Sequence, residues 1–513
     1  MKPRFSFKLT SLLLAFTLLL APALSVSALA ADQATVRDIP EIYVHGIMSS
    51  TVLADKNDPN SREGWPMSAD DIIATVKSIV PALLKFSATW NWDALADSLI
   101  PAVQDLFRDA MNDENGDPVG NTGIYFVYPS RSSITRSSKL TFRYDWRMDP
   151  IEVAAQLNDF IDYVLECSGS DKVTITCHSL GGIMTLSYLT IYGSSKVRSV
   201  LFNTTAIYGE TYTGELLSGD LKLNAKGVVD YLKYAVNYTE YDYLISSLLD
   251  IFQKAGLMDF ITKFGNFILE KLSPRVVPEI LVPMFAGWLT IWAMVPDEDL
   301  DDCMHYVFDV VYKDSPIDFT GLKDRIEEYN TRVRQNKTQT LLNLNNNKSF
   351  NLYVFSRYGY SSLPLTSSYR NLSDGVIDTK NSSFGATTAL YGEKLSDDVL
   401  NKADPKYISP DRSIDASTCL FPDQTWFIRN YKHSDEADNH DEITDKLLYS
   451  TSQATVTTFK EYPQFLQYNG DSDTISTDLN EPVAQESFFE KLKRLFEEFR
   501  KLFKSLFASL IKK

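Results

Sequence analysis

Three residue types placed in one chain order could do nucleophilic chemistry: a serine, then an aspartate, then a histidine. Ser179 lies in Cys177-His178-Ser179-Leu180-Gly181. The β-branched run Val173-Thr174-Ile175-Thr176 precedes it, and an apolar segment with Ile183, Met184, Leu186 and Leu189 follows. That order predicts strand, sharp turn, helix. Such a turn lifts a serine hydroxyl clear of a sheet edge, and the helix N-terminus stabilises negative charge beside it. The pattern approximates G-x-S-x-G, with Gly181 at the second glycine and Cys177 at the first. The first position needs a small residue so that strand and helix pass closely, and cysteine serves.

A serine hydroxyl is a weak nucleophile without a base. The chain has five histidines. His45 and His178 belong to a loop and to the turn itself, and His305 is expected as a partly buried residue elsewhere. The base is therefore His433 or its alternative His440. The run Thr425-Trp426-Phe427-Ile428-Arg429-Asn430-Tyr431-Lys432-His433 reads as a last strand ending at His433. Choosing it leaves Asn439 free to cap a final helix. The acidic residues between the two histidines read as a solvated loop, and the chemistry calls for no metal and no organic cofactor. Asp374, in Leu372-Ser373-Asp374-Gly375-Val376-Ile377-Asp378, is the candidate that orients the imidazole, with Asp378 as fallback. Serine, aspartate and histidine in that order is one of the chain orders in which such a triad occurs. Negative charge developing on an attacked carbonyl needs donors. The loop after Glu41-Ile42-Tyr43-Val44-His45-Gly46 offers the Ile47 N–H, or alternatively Met48, and the Leu180 N–H is its partner.

These residues need a scaffold. Strands are expected at 41–46, at Leu140 to Arg147, at the Ser179 turn, at Val197 to Phe202 and from Phe350 to Phe355. Asp149-Pro150 opens a helix with Val153, Leu157, Ile161 and Leu165 on one apolar face. Strands alternating with helices predict an α/β class with a parallel sheet. Residues 66–111 read as amphipathic helices interrupted at Trp90 and Trp92. Residues 207–348 interrupt the sheet pattern with helices at Leu244 to Gly256, Met258 to Leu272 and Val276 to Pro296.

Three blocks carry a resemblance: Gly46-Ile47-Met48-Ser49-Ser50 with Trp65 downstream, Tyr144-Asp145-Trp146-Arg147, and His178-Ser179-Leu180-Gly181-Gly182. Residues 40–205 resemble the α/β-hydrolase lipases of the lecithin:cholesterol acyltransferase-like group, with a looser match over 349–450. That group usually has glycine where Cys177 stands, and 207–348 match nothing in it. The resemblance implies an α/β-hydrolase fold, a mostly parallel sheet flanked by helices. Segment 207–348 is then a helical cap or lid inserted after the sixth strand. The implied activity is a serine hydrolase or acyltransferase of acyl esters, lipid esters above all. An esterase for small soluble esters competes with it, as does an inactive hydrolase-fold protein used for surface binding.

Charge and ends complete the reading. Lys2, Arg4 and Lys8, the apolar Leu12 to Leu20 and Ala28-Leu29-Ala30 read as a signal peptide over 1–30, with an uncleaved anchor as the competing reading. Its removal takes three positive charges from a net −17 and leaves −20. A secreted, extracellular protein of this charge is no nucleic-acid binder. Export permits one disulfide among Cys167, Cys177, Cys303 and Cys419. The expected organisation is a hydrolase core over 31–206 and 349–467 around the insertion, a polar linker at 468–486, and an amphipathic helix at 487–513. That tail carries net positive charge and apolar residues at three-four spacing. It fits either contact with a membrane or envelope surface or docking on another helix.

Overall fold

The structure is a computed structural model, and it describes residues 38–237 and 242–478. Residues 1–30, expected to be a signal peptide, and 487–513, expected to be an amphipathic helix, lie outside the described residues. Eight strands form the central sheet: β1 (Glu41–Val44), β2 (Lys139–Phe142), β3 (Val173–His178), β4 (Val197–Asn203), β5 (Asn351–Tyr358), β6 (Thr425–Arg429), β7 (Phe465–Asn469) and β8 (Thr474–Ser476). Their spatial order is β8-β7-β6-β5-β4-β3-β1-β2. All neighbours pair in parallel except β7 with β8. Strands covered on both faces have no solvent side, so they read as continuous apolar runs. Every residue of β5 is buried, as are five of the six in β3.

The chain order creates a crevice. From β1 the chain goes outward to β2, then returns to the other side of β1 as β3. Loops leaving the carboxyl ends of β1 and β3 therefore diverge, and ligand sites in open α/β sheets form at such switch points. The register pairs Val44 with Cys177, so both strands end at one level.

Two helices set these strands in place. In α3 (Pro150–Ser168), Asp149 accepts the Ile151 N–H at 2.8 Å, and Val153, Leu157 and Ile161 are fully buried against the sheet. A left-handed Gly169 ends it. Helix α4 (Gly181–Tyr192) follows the serine turn and is buried over Gly181 to Leu189, which is why it is apolar all round.

The two earlier helices are α1 (Ala69–Thr89) and α2 (Trp92–Phe107). The break falls where the tryptophans predict it: Trp90 adopts a left-handed conformation, and Asn91 caps α2 through the Ala94 N–H. Helix α1 buries few residues and exposes Ile73, Val80 and Leu84, and it is long and apolar enough to cross a membrane by length and composition.

Residues between β4 and β5 are mainly helical: α5 (Thr211–Leu217), α6 (Ala225–Val236), α7 (Asp242–Lys254), α8 (Leu257–Val276), α9 (Leu289–Met294), α10 (Thr320–Arg332) and α11 (Lys337–Asn346) account for most of them. The stretch from Val276 to Pro296 is not one helix. A wide turn at Val277–Leu281 and a break before Trp288 divide it. Its apolar residues enter the core: Trp288 packs edge-on against Trp146 at 4.9 Å and donates from Nε1 to the Ala110 carbonyl.

Four expectations need correction. The linker begins later than 468, because Tyr468 and Ile475 are buried in the edge hairpin β7–β8, which is too short to declare a periodicity. Strand β6 is not the last and stops at Arg429, four residues before His433. Asn439 precedes α12 (His440–Leu448) but does not cap it; its side chain exchanges two hydrogen bonds with the backbone of Ile475. His305 is exposed and paired with Asp309. All four cysteines are free thiols.

Candidate active site

Ser179 holds φ at +56°, in the left-handed region that a serine rarely adopts. The neighbours show why the turn has no other shape. A Cβ on Gly181 would fall 2.1 Å from the Val44 carbonyl oxygen, so α4 starts in backbone contact with β1. A Cβ on Gly46 would lie 2.8 Å from Ser179 Cβ, so the loop after β1 passes directly beside the serine. Cys177 is fully buried, and its thiol faces the Leu201 carbonyl of β4 at 3.5 Å. Burial pushes that thiol well above its usual range. It is a small packing residue here, not a reactive one.

The loop carrying Ile47 and Met48 is braced from below. Tyr144 stacks on His45 at 4.4 Å and donates to the His45 carbonyl at 2.7 Å. Trp146 Nε1 donates to the Ser50 carbonyl, Trp65 Nε1 to the Met48 carbonyl, and Ser50 Oγ meets His45 Nε2 at 2.7 Å. Burial lowers His45 to about 4, so its imidazole is neutral near pH 7. The Tyr144-Asp145-Trp146-Arg147 block is thus the support of this loop. Its charged members fold under it, with Arg147 paired to Asp145 at 2.7 Å and donating to the Asp109 carbonyl. Among the described residues, the N–H groups of Ile47, Met48 and Leu180 donate no hydrogen bond.

Asp374 and His433 meet on the far side. Asp374 is fully buried, and its Oδ2 lies 2.8 Å from His433 Nδ1. The same oxygen accepts from Thr204 Oγ1 at 2.5 Å, while Oδ1 accepts the N–H groups of Val376 and Ile377. Burial alone would raise this carboxyl; the charge of His433 and these four donors outweigh it and hold it below the usual carboxylate range. The His433 N–H donates to the Asp374 carbonyl, a second tie between the two loops.

His178, adjacent to Ser179, closes the arrangement. Its ring lies 4.5 Å from that of His433, and its Nε2–H donates to the His433 carbonyl at 2.9 Å. Burial, then the charges of His433 and Arg357, keep His178 neutral. No hydrogen bond joins the Ser179 hydroxyl to His433 among the described residues; such bonds are commonly long before substrate binds. His440 sits elsewhere, near Tyr431, and does not contact Asp374. Asp378 is buried but bonds Thr211 and Asn371 rather than an imidazole.

Two residues here escaped the sequence reading. Arg357, buried in β5, donates from one terminal nitrogen to the carbonyls of Lys432, His433 and Asp435, and its guanidinium lies 3.9 Å from the Tyr431 ring centroid. It holds the histidine loop in place. A lone cation in the otherwise uncharged Asn351–Tyr358 strand is the signal that could have marked it. Thr204, left-handed at φ +45°, was signalled by nothing comparable.

No family model matches this chain, and no curated protein matches it. Among solved structures it is similar to the crystal structure of the Tle4-Tli4 complex. That likeness covers 62% of this chain and 75% of that chain, at 10% identity and a TM-score of 0.26. A likeness at that level carries no argument about fold or activity.

Proposed function

We propose that this chain is a serine hydrolase of acyl esters with an α/β-hydrolase fold. The observation that carries the reading is a left-handed Ser179 at the carboxyl edge of a parallel sheet, with a buried Asp374–His433 pair alongside it. Ser179 Oγ attacks the ester carbonyl as His433 Nε2 takes its proton. His433 Nδ1–H stays bonded to Asp374, which fixes the tautomer and stabilises the imidazolium. The N–H of Leu180 and that of Ile47, with Met48 as the alternative, hold the tetrahedral oxyanion. The imidazolium returns its proton to the leaving alcohol. Water, or a lipid alcohol in an acyltransferase, then attacks the acyl-enzyme under base catalysis by His433 and releases Ser179.

Lipid esters are favoured as substrates, of the kind handled by the lecithin:cholesterol acyltransferase-like group that the motifs resemble. Exposed apolar residues on α1, on α8 and at the turn between α1 and α2, including Leu84, Phe260, Phe267 and Trp90, support that choice over small soluble esters. In this reading the helices between β4 and β5 are the cap, and the protein is exported, with 487–513 as a further surface contact.

A fluorophosphonate probe is expected to label the wild-type chain and to leave Ser179→Ala unlabelled, with p-nitrophenyl ester turnover lost in parallel. Labelling that persists in the variant rejects the assignment. No labelling and no turnover in the wild type favour the inactive, surface-binding protein. Higher specific activity on aggregated than on monomeric ester is expected; equal rates remove the argument for lipid.

A further inference from the structure

Behind the Asp374 turn lies a second buried carboxyl pair that the triad reading leaves unused. Glu210 is fully buried at the start of α5, and its Oε2 accepts the Asp378 N–H at 2.8 Å. Its own N–H donates to the Met294 carbonyl of α9 at 2.7 Å. Asp378 in turn accepts from Thr211 Oγ1 and Asn371 Nδ2, both at 2.6 Å on Oδ2. Glu210 thus joins the helical insertion to the last residue of the turn that begins with Asp374. Tyr234 of α6 covers the middle of that turn, so closely that a Cβ on Gly375 would meet its ring at 2.3 Å.

The electrostatics are unusual for a simple brace. Glu210 Oε1 and Asp378 Oδ1 are both buried without a hydrogen-bond partner among the described residues. The charged groups acting on Glu210 are Asp378 and Asp374, both carboxylates, and the phenol of Tyr212 lies within their influence. Burial, followed by these like charges, raises Glu210 well above the usual carboxylate range. Burying an ionised carboxylate beside two others is far more costly than burying the acid form.

We propose that Glu210 is a positioning residue for the Asp374–His433 pair, holding the far end of the acid turn by accepting the Asp378 N–H. The inference rests on the Ser179, His433 and Asp374 reading above. The turn needs a hydrogen-bond acceptor at this point, and a neutral one supplies it without adding a third negative charge beside Asp374. With the acceptor gone, the turn is free to move, and the bond from Asp374 to His433 weakens. Weaker pairing lowers the proton affinity of His433.

Two variants of the full chain test this. Glu210→Gln keeps the acceptor and the neutral charge. Glu210→Met keeps the volume and removes the acceptor. The glutamine variant is expected to retain kcat on a chromogenic ester within about 3-fold. The methionine variant is expected to lose at least about tenfold in kcat with KM nearly unchanged, and to move the acid limb of the kcat/KM profile to lower pH. The downfield Nδ1 proton of His433 in proton NMR is expected to persist in Gln and to shift or vanish in Met. That resonance needs no turnover, so it reads the positioning role even if ester hydrolysis proves wrong. A methionine variant with wild-type kcat, acid limb and imidazole proton overturns the proposal. So does a folded glutamine variant that loses more than about tenfold, since a charge rather than a neutral acceptor is then required. If the methionine variant does not fold, Glu210→Asp, which withdraws the acceptor from the Asp378 N–H by one methylene, takes its place with the same expected losses, and wild-type kcat, acid limb and imidazole proton in it overturn the proposal.

Discussion

The two sides of the candidate site are held by different physics. The serine side is fixed at short range. Gly181 presses against the backbone of Val44 and His45, Gly46 passes against the Ser179 side chain, and Ser179 takes a left-handed conformation between them. The histidine and aspartate side is fixed at long range by side-chain hydrogen bonds. Thr204 reaches Asp374 across 170 residues, His178 reaches the His433 carbonyl across 255, and Glu210 reaches Asp378 across 168. Steric fixation is nearly all-or-none, because an atom either fits or displaces the backbone. Hydrogen-bonded fixation is graded, because each donor removed leaves the others in place.

The comparison breaks most sharply at Gly181. Its missing Cβ faces three backbone atoms, with no flexible side chain to yield. Gly181→Ala is expected to cost more than about 3 kcal/mol of stability, at the high end for overpacking, and to reduce soluble yield. Thermal unfolding of the purified variant checks it. A melting temperature within a degree or two of wild type means the contact is not the constraint claimed here.

On the opposite side, the largest effect is expected at Arg357. Replacing it by Met leaves three carbonyls of the histidine loop without their shared donor. Misplacement of a catalytic group by about 1 Å costs roughly 100-fold, so kcat/KM is expected to fall by about that factor while the protein remains folded. Lysine is expected not to rescue it, because one ammonium does not reproduce the planar guanidinium over Tyr431. Full rescue by lysine, or an unaffected rate in the methionine variant, assigns the loop's order to something else.

The same contrast explains what was legible in the sequence. Cys177 to Gly182, with β3 before and α4 after, declares itself because every constraint acts within a few residues or on the adjacent strand. Helix α3 was readable for the same reason, down to the Asp149 cap. The Tyr144-Asp145-Trp146-Arg147 block was visible as a motif, but its purpose under the Ile47 loop was not, since those contacts join residues nearly 100 apart. Arg357, Thr204 and Glu210 were missed because their partners are chosen by the fold. The last residues of β7 and all of β8 read as linker from 468 onward because strands of five and three residues are too brief to show alternation. His433 and His440 stood nearly level in the sequence, and only the geometry separates them, placing one against Asp374 and the other beside Tyr431.

Acid sharpens the comparison without any substitution. His45 is lowered to about 4 by burial, so the unfolded chain binds its proton first. Stability from this group is complete above pH 6.5 and is lost as pH falls toward 4, by on the order of 3 kcal/mol. Asp374 behaves differently. Its carboxyl is held below the usual range, so its contribution persists until pH falls through that depressed value. Between pH 6.5 and 4 the indole N–H groups of Trp65 and Trp146, which donate to the Met48 and Ser50 carbonyls, are therefore expected to lose hydrogen-exchange protection before the amides of 374–378. The reverse order contradicts the assignment of a neutral, buried His45.

The smallest effect is expected at Tyr144→Phe. The substitution removes the hydroxyl that donates to the His45 carbonyl but keeps the ring stacked on the imidazole. One neutral hydrogen bond contributes about 1 kcal/mol, and losing a donor costs somewhat more where the acceptor stays buried. The loop has two further supports, from Trp146 to Ser50 and from Trp65 to Met48. The rate on a chromogenic ester is accordingly expected to fall only a few-fold, with a modest drop in melting temperature. A loss as large as that of Arg357→Met indicates that the Ile47 loop hangs on one hydroxyl. The serine side would then be graded like the other, and the distinction between steric and hydrogen-bonded fixation would apply to Ser179 alone.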